Sequence, residues 1–174
     1  MAIATALQTR PLFAREFADA AAIDAAGYPF IPWTAKRFEV WHEASTRNFS
    51  LAAQRGSADL AGYVCYRVGD GALHIERLAV APTHRRHGVA RRLIQRVAGT
   101  LSPTWPILSI VIEPVRVDGW GRRMEEGSEA GWRLAQFLRA CGFVEGPTIR
   151  HAFDVPWGLG TIDGVHFERR YGKQ

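Results

Sequence analysis

Apolar and polar positions along this chain follow two rhythms, and they divide it into strands and helices. Phe49 to Gln54 reads as a strand, and Leu60 to Val68 (LAGYVCYRV) as a stronger one. Gly69-Asp70-Gly71 is a hairpin turn, from which Leu73 to Val80 returns as the partner strand. Further on the period lengthens. Val89, Leu93 and Val97 recur every four residues, with Ile94 and Leu101 beside them and Arg91, Gln95 and Arg96 on the other faces. That spacing predicts one amphipathic helix, ended by Gly99 and Pro103. Residues 105–113 (WPILSIVIE) are apolar on both faces, as a central strand requires. Residues 114–130 form a polar loop, and a helix follows at about 131–141, with Gly142 at the position just past its end. Upstream, residues 14–26 read as a helix stopped by Gly27. Thr34 is an N-cap for a second helix over 35–45, with Phe38 and Trp41 on one side. Two more strands are expected near 143–154 and 164–171. The order is helix, helix, three strands, helix, strand, helix, two strands. It predicts a mixed α/β fold with one crossover helix.

The chain has 174 residues, which is most simply one domain over 1–174. Hydrophobic residues make up 47 % and charged residues 22 %, enough apolar material for a real core. No apolar run is long enough to span a membrane. The opening MAIATALQTR lacks the charged-then-apolar order of a signal peptide. Cys65 and Cys141 have neither CxxC nor metal-ligand spacing, so two free thiols, no metal and a cytoplasmic location are expected. The net charge is +5, and since Lys36 and Lys173 are the only lysines, the basic excess is arginine. Arginine suits bidentate phosphate contacts. Charge alone is compatible with nucleic acid, a polyanionic cofactor or a GC-rich genome. There is no long basic run and no Arg–aromatic stripe to favour nucleic acid.

The densest chemistry lies in Leu78 to Leu93, LAVAPTHRRHGVARRL. It reads as a strand end, a turn, a short basic loop containing Arg85-x-x-Gly88-x-Ala90, and then a helix. Backbone N–H groups at a helix N-terminus, with a glycine for close approach and arginines around it, form a device for phosphate.

With these words in this order, the chain resembles the GNAT superfamily of acetyl-CoA-dependent N-acetyltransferases. The likeness rests on Leu78-Ala79-Val80 followed by Pro82, on the Arg85-x-x-Gly88-x-Ala90 loop, on the helix after it, and on AQFLRACGF from Ala135 to Phe143. It implies a central mixed, mostly antiparallel sheet flanked by helices, with a V-shaped gap between what the family counts as its fourth and fifth strands. Acetyl-CoA is the implied co-substrate. Leu78, Ala79 and Val80 would offer strand-edge groups to the pantetheine, and an N–H near Val80 would polarise the thioester carbonyl. Arg85, Arg86, His87, Gly88, Val89, Ala90 and Arg91 would hold the pyrophosphate through backbone amides, with the helix N-terminus behind them. The side chains of Arg85 and Arg86 would add charge-assisted contacts.

Acetyl transfer needs a neutral amine, so a base must take a proton. The resemblance points to Glu113 at the end of the fifth strand and Glu76 on the fourth, with His74 third. Strand alternation puts Glu76 on the face of His74, Leu78 and Val80, and Glu113 on that of Ser109 and Val111. One departure stands out. Leu138 occupies the position of the family's thiolate-protonating tyrosine, and Gly131 that of its asparagine. Tyr63, Tyr66 and Tyr171 are the candidate substitutes. The expected acceptor is a primary amine, of a small molecule or a peptide N-terminus. Tyr28 to Trp33, loop 114–130 and Trp157 to Ile162 would surround it. The alternatives are a non-catalytic acyl-CoA-binding module and a transferase for a longer acyl group. The family admits monomers and homodimers.

Overall fold

The computed structural model describes residues 7–28, 32–55, 59–112, 129–154 and 161–171. Seven strands form one sheet: β1 (Leu7–Pro11), β2 (Asn48–Arg55), β3 (Asp59–Gly69), β4 (Ala72–Val80), β5 (Ile107–Ile112), β6 (Val144–Asp154) and β7 (Thr161–Arg170). Their spatial order is β1-β2-β3-β4-β5-β7-β6. Every pairing is antiparallel except β4 with β5. The expected mixed, mostly antiparallel sheet is the observed one.

The helices are α1 (Phe17–Gly27), α2 (Ala35–Ala44), α3 (Val89–Ala98) and α4 (Glu129–Ala140). The helix expected over 14–26 begins as a single 3-10 turn, Ala14–Glu16, before α1 proper. The Thr34 cap holds: its hydroxyl accepts from the Arg37 amide at 3.2 Å. The fifth strand is shorter than expected, because Trp105 turns back to bridge Ser102. Strand β1 went unread. Its five residues, LQTRP, show no clean alternation, and only pairing with β2 makes them a strand.

Each face of the sheet carries its own core. On one face α3 places Val89, Leu93, Ile94 and Val97 among Val64, Leu73, Ile75, Leu108 and Phe167, and Leu138 and Phe143 join them. On the other face α1 and α2 place Ala20, Ile23 and Phe38 against Tyr63, Cys65 and Ala79. Gly62 makes the α3 side possible. A Cβ there would meet the Ala79 carbonyl oxygen at 2.7 Å and Val89 Cγ1 at 3.0 Å. The bare backbone lets the start of α3 settle directly on β3 and β4.

The functional consequence lies between β4 and β5. Their parallel ladder runs only from Ala72↔Ile107 to Ile75↔Ile110. At the next residue β4 carries a bulge against β3: Tyr66 pairs with Ile75 and Cys65 with Arg77, so Glu76 is extra. A bulge bends its strand and increases the local twist. β4 therefore bends where it leaves β5, and the sheet opens there into the V-shaped gap.

Candidate active site

The bulge corrects the expected facing of β4. Before it, Leu73 and Ile75 pack into the α3 side; after it, Leu78 and Val80 do, while Ala79 joins the α1 side. Glu76 therefore lies on the face opposite Leu78 and Val80. Uninterrupted alternation had put all three together, and one inserted residue breaks that count.

The gap edge of β4 follows from its hydrogen bonding. The Ala81 amide donates to the Ala61 carbonyl at 3.0 Å, so Ala81 faces β3. By antiparallel alternation Leu78 and Val80 turn their N–H and C=O groups toward the gap. Three of these groups have protein partners. The Tyr28 hydroxyl donates to the Leu78 carbonyl at 3.1 Å and lies 3.5 Å from the Leu78 nitrogen. Arg85 Nε donates to the Val80 carbonyl at 3.3 Å, and its Nη2 to the Ala26 carbonyl at 3.1 Å. The Arg85 side chain thus ties the loop to β4 and to the end of α1, a structural use for a residue whose side chain was expected on phosphate.

The loop ends in a compact cluster of amides. Arg86 has φ +66°, in the left-handed region, and Gly88, the N-cap of α3, has φ +78°. Left-handed residues within a turn direct successive N–H groups to one side, which makes a concavity for anions. The first turn of α3 holds no acidic residue, and no side chain caps it. Arg86, His87 and Gly88 are exposed, while Val89 is buried in the core and Ala90 packs against it. Backbone, not side chain, is what residues 88–90 present.

Of the expected bases, Glu76 is described. It is the first residue past the end of the β4–β5 ladder. Its Oε1 accepts from Arg67 Nε at 2.8 Å, and its side chain keeps 35 % exposure. His74 is bound on both sides. Its Nε2 donates to the Gly69 carbonyl at 3.0 Å, which leaves Nδ1 to accept from the Ser109 hydroxyl at 2.7 Å. Burial and the nearby Arg67 hold its imidazole below the ordinary range. Glu113 lies outside the described residues, as do loop 114–128, Phe30 and Trp157.

The tyrosines sort themselves by their partners. Leu138 is wholly buried in the α3-side core. Tyr63 is buried and donates to Asp24; Tyr66 stacks on Phe49; Tyr171 carries the Arg169 guanidinium over its ring. The tyrosine that reaches the gap edge is Tyr28. Its identity was plain in sequence, but its contact with Leu78 spans fifty positions, and no local pattern announces it.

Behind Tyr28 sits a buried polar network. The Asp24 carboxylate accepts from the Tyr63 hydroxyl and the Trp33 amide, and it faces Arg77 Nε at 3.9 Å. The Arg77 guanidinium lies 4.1 Å from the Tyr28 ring centroid and 5.2 Å from that of Trp33. Burial pushes the Asp24 carboxyl above the usual carboxylate range, against the pull of Arg77. The network pins both ends of the segment between α1 and α2 to β4, beside the gap. Among the described residues, no three His, Cys, Asp or Glu side chains are grouped to hold a metal. No helix among them is long and apolar enough to cross a membrane.

The sheet parts beside an uncapped, arginine-rich helix N-terminus, a setting suited to a pyrophosphate-bearing ligand. The profile of the acetyltransferase (GNAT) family matches residues 15–102, which include this loop and the whole of α3. The chain belongs to that family, whose members use acetyl-CoA. A relative, the probable N-acetyltransferase 14 of Mus musculus, is 36 % identical over 101 residues, covering 52 % of this chain. The match spans 42 % of the mouse protein's length. Among solved structures, Arabidopsis thaliana NAA60 in complex with a bisubstrate analogue superposes with a TM-score of 0.71 at 15 % identity, covering 96 % of this chain and all of that one. The ribosomal-protein-S18-alanine N-acetyltransferase of Escherichia coli gives 0.69 at 16 % identity, covering 97 % and 96 %. At those identities the structures speak for the fold alone.

Proposed function

We propose that the protein transfers an acetyl group from acetyl-CoA to a primary amine by direct attack. The observation that carries this reading is the end of the β4–β5 ladder at Ile75↔Ile110, with the left-handed loop and bare α3 N-terminus beside it. The amides from Arg86 to Arg91 hold the pyrophosphate. The gap edge of β4 at Leu78 and Val80 lies along the pantetheine. Acetyl-CoA supplies the activated thioester, and the amine adds to its carbonyl carbon. Glu76 stands on the α1 side of the split and takes the ammonium proton, directly or through a water. Glu113 is the second carboxylate we assign to that role. The thiolate of CoA leaves as the C–S bond breaks, and the second proton, given up by the acylated nitrogen, reaches it through solvent to form the thiol.

A peptide N-terminus is the acceptor we would test first, since the E. coli structure of similar fold is named for acetylating an alanine of a ribosomal protein. Two unpaired thiols, Cys65 and Cys141, suit a reducing compartment, and we place the protein in the cytoplasm, as one domain over 1–174. The test is release of free thiol from acetyl-CoA across a panel of small amines and peptides. Turnover with any of them supports the reading. Leu138, sealed in the core at the family's acid position, favours a second reading as a non-catalytic acyl-CoA-binding module. Tight acetyl-CoA binding without thiol release across the panel would select that alternative. Faster turnover with longer acyl-CoAs would select a longer-chain transferase.

A further inference from the structure

Away from the gap, a cavity of about 480 Å³ opens between α3 and the far end of α4. One wall is a single stripe of α3: Arg91, Ile94, Gln95 and Ala98, spaced three and four apart. The other is formed by Ala140, Cys141 and Gly142, with Arg169 and Tyr171 from the end of the sheet. Small residues on both sides, Ala98, Ala140 and Gly142, leave the space between the helices open.

Its charge is one-sided. Among the described residues neither Arg91 nor Arg169 has a carboxylate partner. Arg169 is held in place from two directions, donating Nη1 to the Cys141 carbonyl at 2.5 Å and lying 4.6 Å over the Tyr171 ring. Cys141 does not supply the missing anion. Both arginines pull its thiol down, but burial outweighs them, and it stays above its ordinary value. The Tyr171 hydroxyl is pushed up by burial too, so at neutral pH it remains a donor. Two guanidiniums, a phenol and the Gln95 amide thus line a cavity of the size that holds small-molecule ligands. Planar guanidinium forks match phosphate oxygens.

We propose that this cavity binds a phosphate monoester on Arg91 and Arg169. The phosphate comes either from the 3′-phosphate end of a CoA whose pyrophosphate sits on the loop one turn above Arg91, or from a separate small phosphorylated molecule. The first source rests on the acetyl-CoA reading; the second does not. Arg169 also caps the end of α4, so a purely structural role must be distinguished from a binding one. Ala140→Leu, an exposed helix position, narrows the cavity and leaves that cap intact, whereas Arg169→Gln removes the charge.

Dissociation constants for CoA and dephospho-CoA, and the melting temperature in about 10 mM inorganic phosphate against chloride of equal ionic strength, decide the matter for wild type and both variants. If CoA binds about tenfold tighter than dephospho-CoA, and the advantage vanishes in both variants, the ligand is the cofactor's own 3′-phosphate. If the two bind alike but phosphate raises the wild-type melting temperature and neither variant responds, the ligand is a free phosphate. No phosphate effect of either kind in wild type, or an effect that survives in either variant, overturns the proposal. Failure of every CoA species to bind would sink the acetyltransferase reading, and the inorganic phosphate comparison would then decide the cavity by itself.

Discussion

Asp24 on α1 and Arg77 on β4 face each other at 3.9 Å, with 0 % and 4 % of their side chains exposed. This pair joins α1 to the strand that borders the gap. Asp24 also accepts from Tyr63 and from the Trp33 amide, and Arg77 lies over the rings of Tyr28 and Trp33. Removing Asp24 takes the facing carboxylate away from the buried Arg77 guanidinium. Asp24→Ala is expected to lose about 3–5 kcal/mol, the usual result of breaking a buried ion pair from one side. Asp24→Asn keeps an acceptor for Tyr63 and should lose less. Urea unfolding measures both, and a loss within about 1 kcal/mol for the alanine variant would show that the pair contributes little.

Gly88 has φ +78°, and a Cβ built there meets no atom within 4 Å. Strain, not crowding, is therefore the cost of a side chain in the free protein. Gly88→Ala should lose about 1–2 kcal/mol of stability. Gly88→Asn, which tolerates the left-handed region, should lose less. Both place a side chain where the loop's amides would meet phosphate, so both should weaken acetyl-CoA about tenfold or more. Calorimetric titration separates the two effects. An asparagine variant that bound acetyl-CoA like wild type would remove the loop from the site.

Glu76 tests the assignment of the base. Glu76→Gln keeps the shape and a hydrogen-bonding oxygen for Arg67 but cannot take a proton. We expect kcat to fall about 100-fold or more, with acetyl-CoA affinity nearly unchanged. Unaltered turnover would pass the role to Glu113. Arg67→Met, which frees the same carboxylate from its partner at 2.8 Å, should leave most of the activity.

His42 predicts a pH dependence. Its Nε2 lies 2.7 Å from the Ser50 hydroxyl, its ring stacks on Phe17 at 5.0 Å, and burial holds its imidazole below the ordinary range. His74 is lowered as well. Between the lowered values and the unfolded value of about 6.5, the unfolded chain binds more protons than the folded one. Stability therefore rises with pH through that window and is lost as the solution is acidified through it. Asp24 acts with the opposite sign: its raised carboxyl holds its proton longer in the fold, so its contribution weakens the fold as pH rises past the unfolded carboxylate value. Denaturation midpoints between pH 7 and pH 5 should fall in wild type and fall less in His42→Gln. Equal slopes would remove His42 from the effect.

Much of the site lies in short-range chemistry, and that part was legible. Arg85 to Ala90 needed only their neighbours to be read as a loop opening a helix. Thr34, Gly69-Asp70-Gly71 and Gly142 act within a few residues of themselves, so their cap, turn and helix end could be placed without a fold. The stripe Val89, Leu93, Val97 shows which side of α3 must be buried, because the helical period alone decides it.

Tertiary structure decided everything that depends on which strands meet. β1 exists because β2 lies beside it. The bulge at Glu76 is a relation between β3 and β4, one residue of β4 with no counterpart on β3, and it reverses the facing of every later residue on β4. Tyr28 reaches Leu78, and Asp24 reaches Arg77, because α1 folds over that strand. The sequence alone determined the chemistry of the loop from Arg85 to Ala90 and the period of each element. The gap, the face of Glu76 and the cavity beside Arg169 were decided by long-range packing, since a register is a relation between segments and neither segment contains it alone.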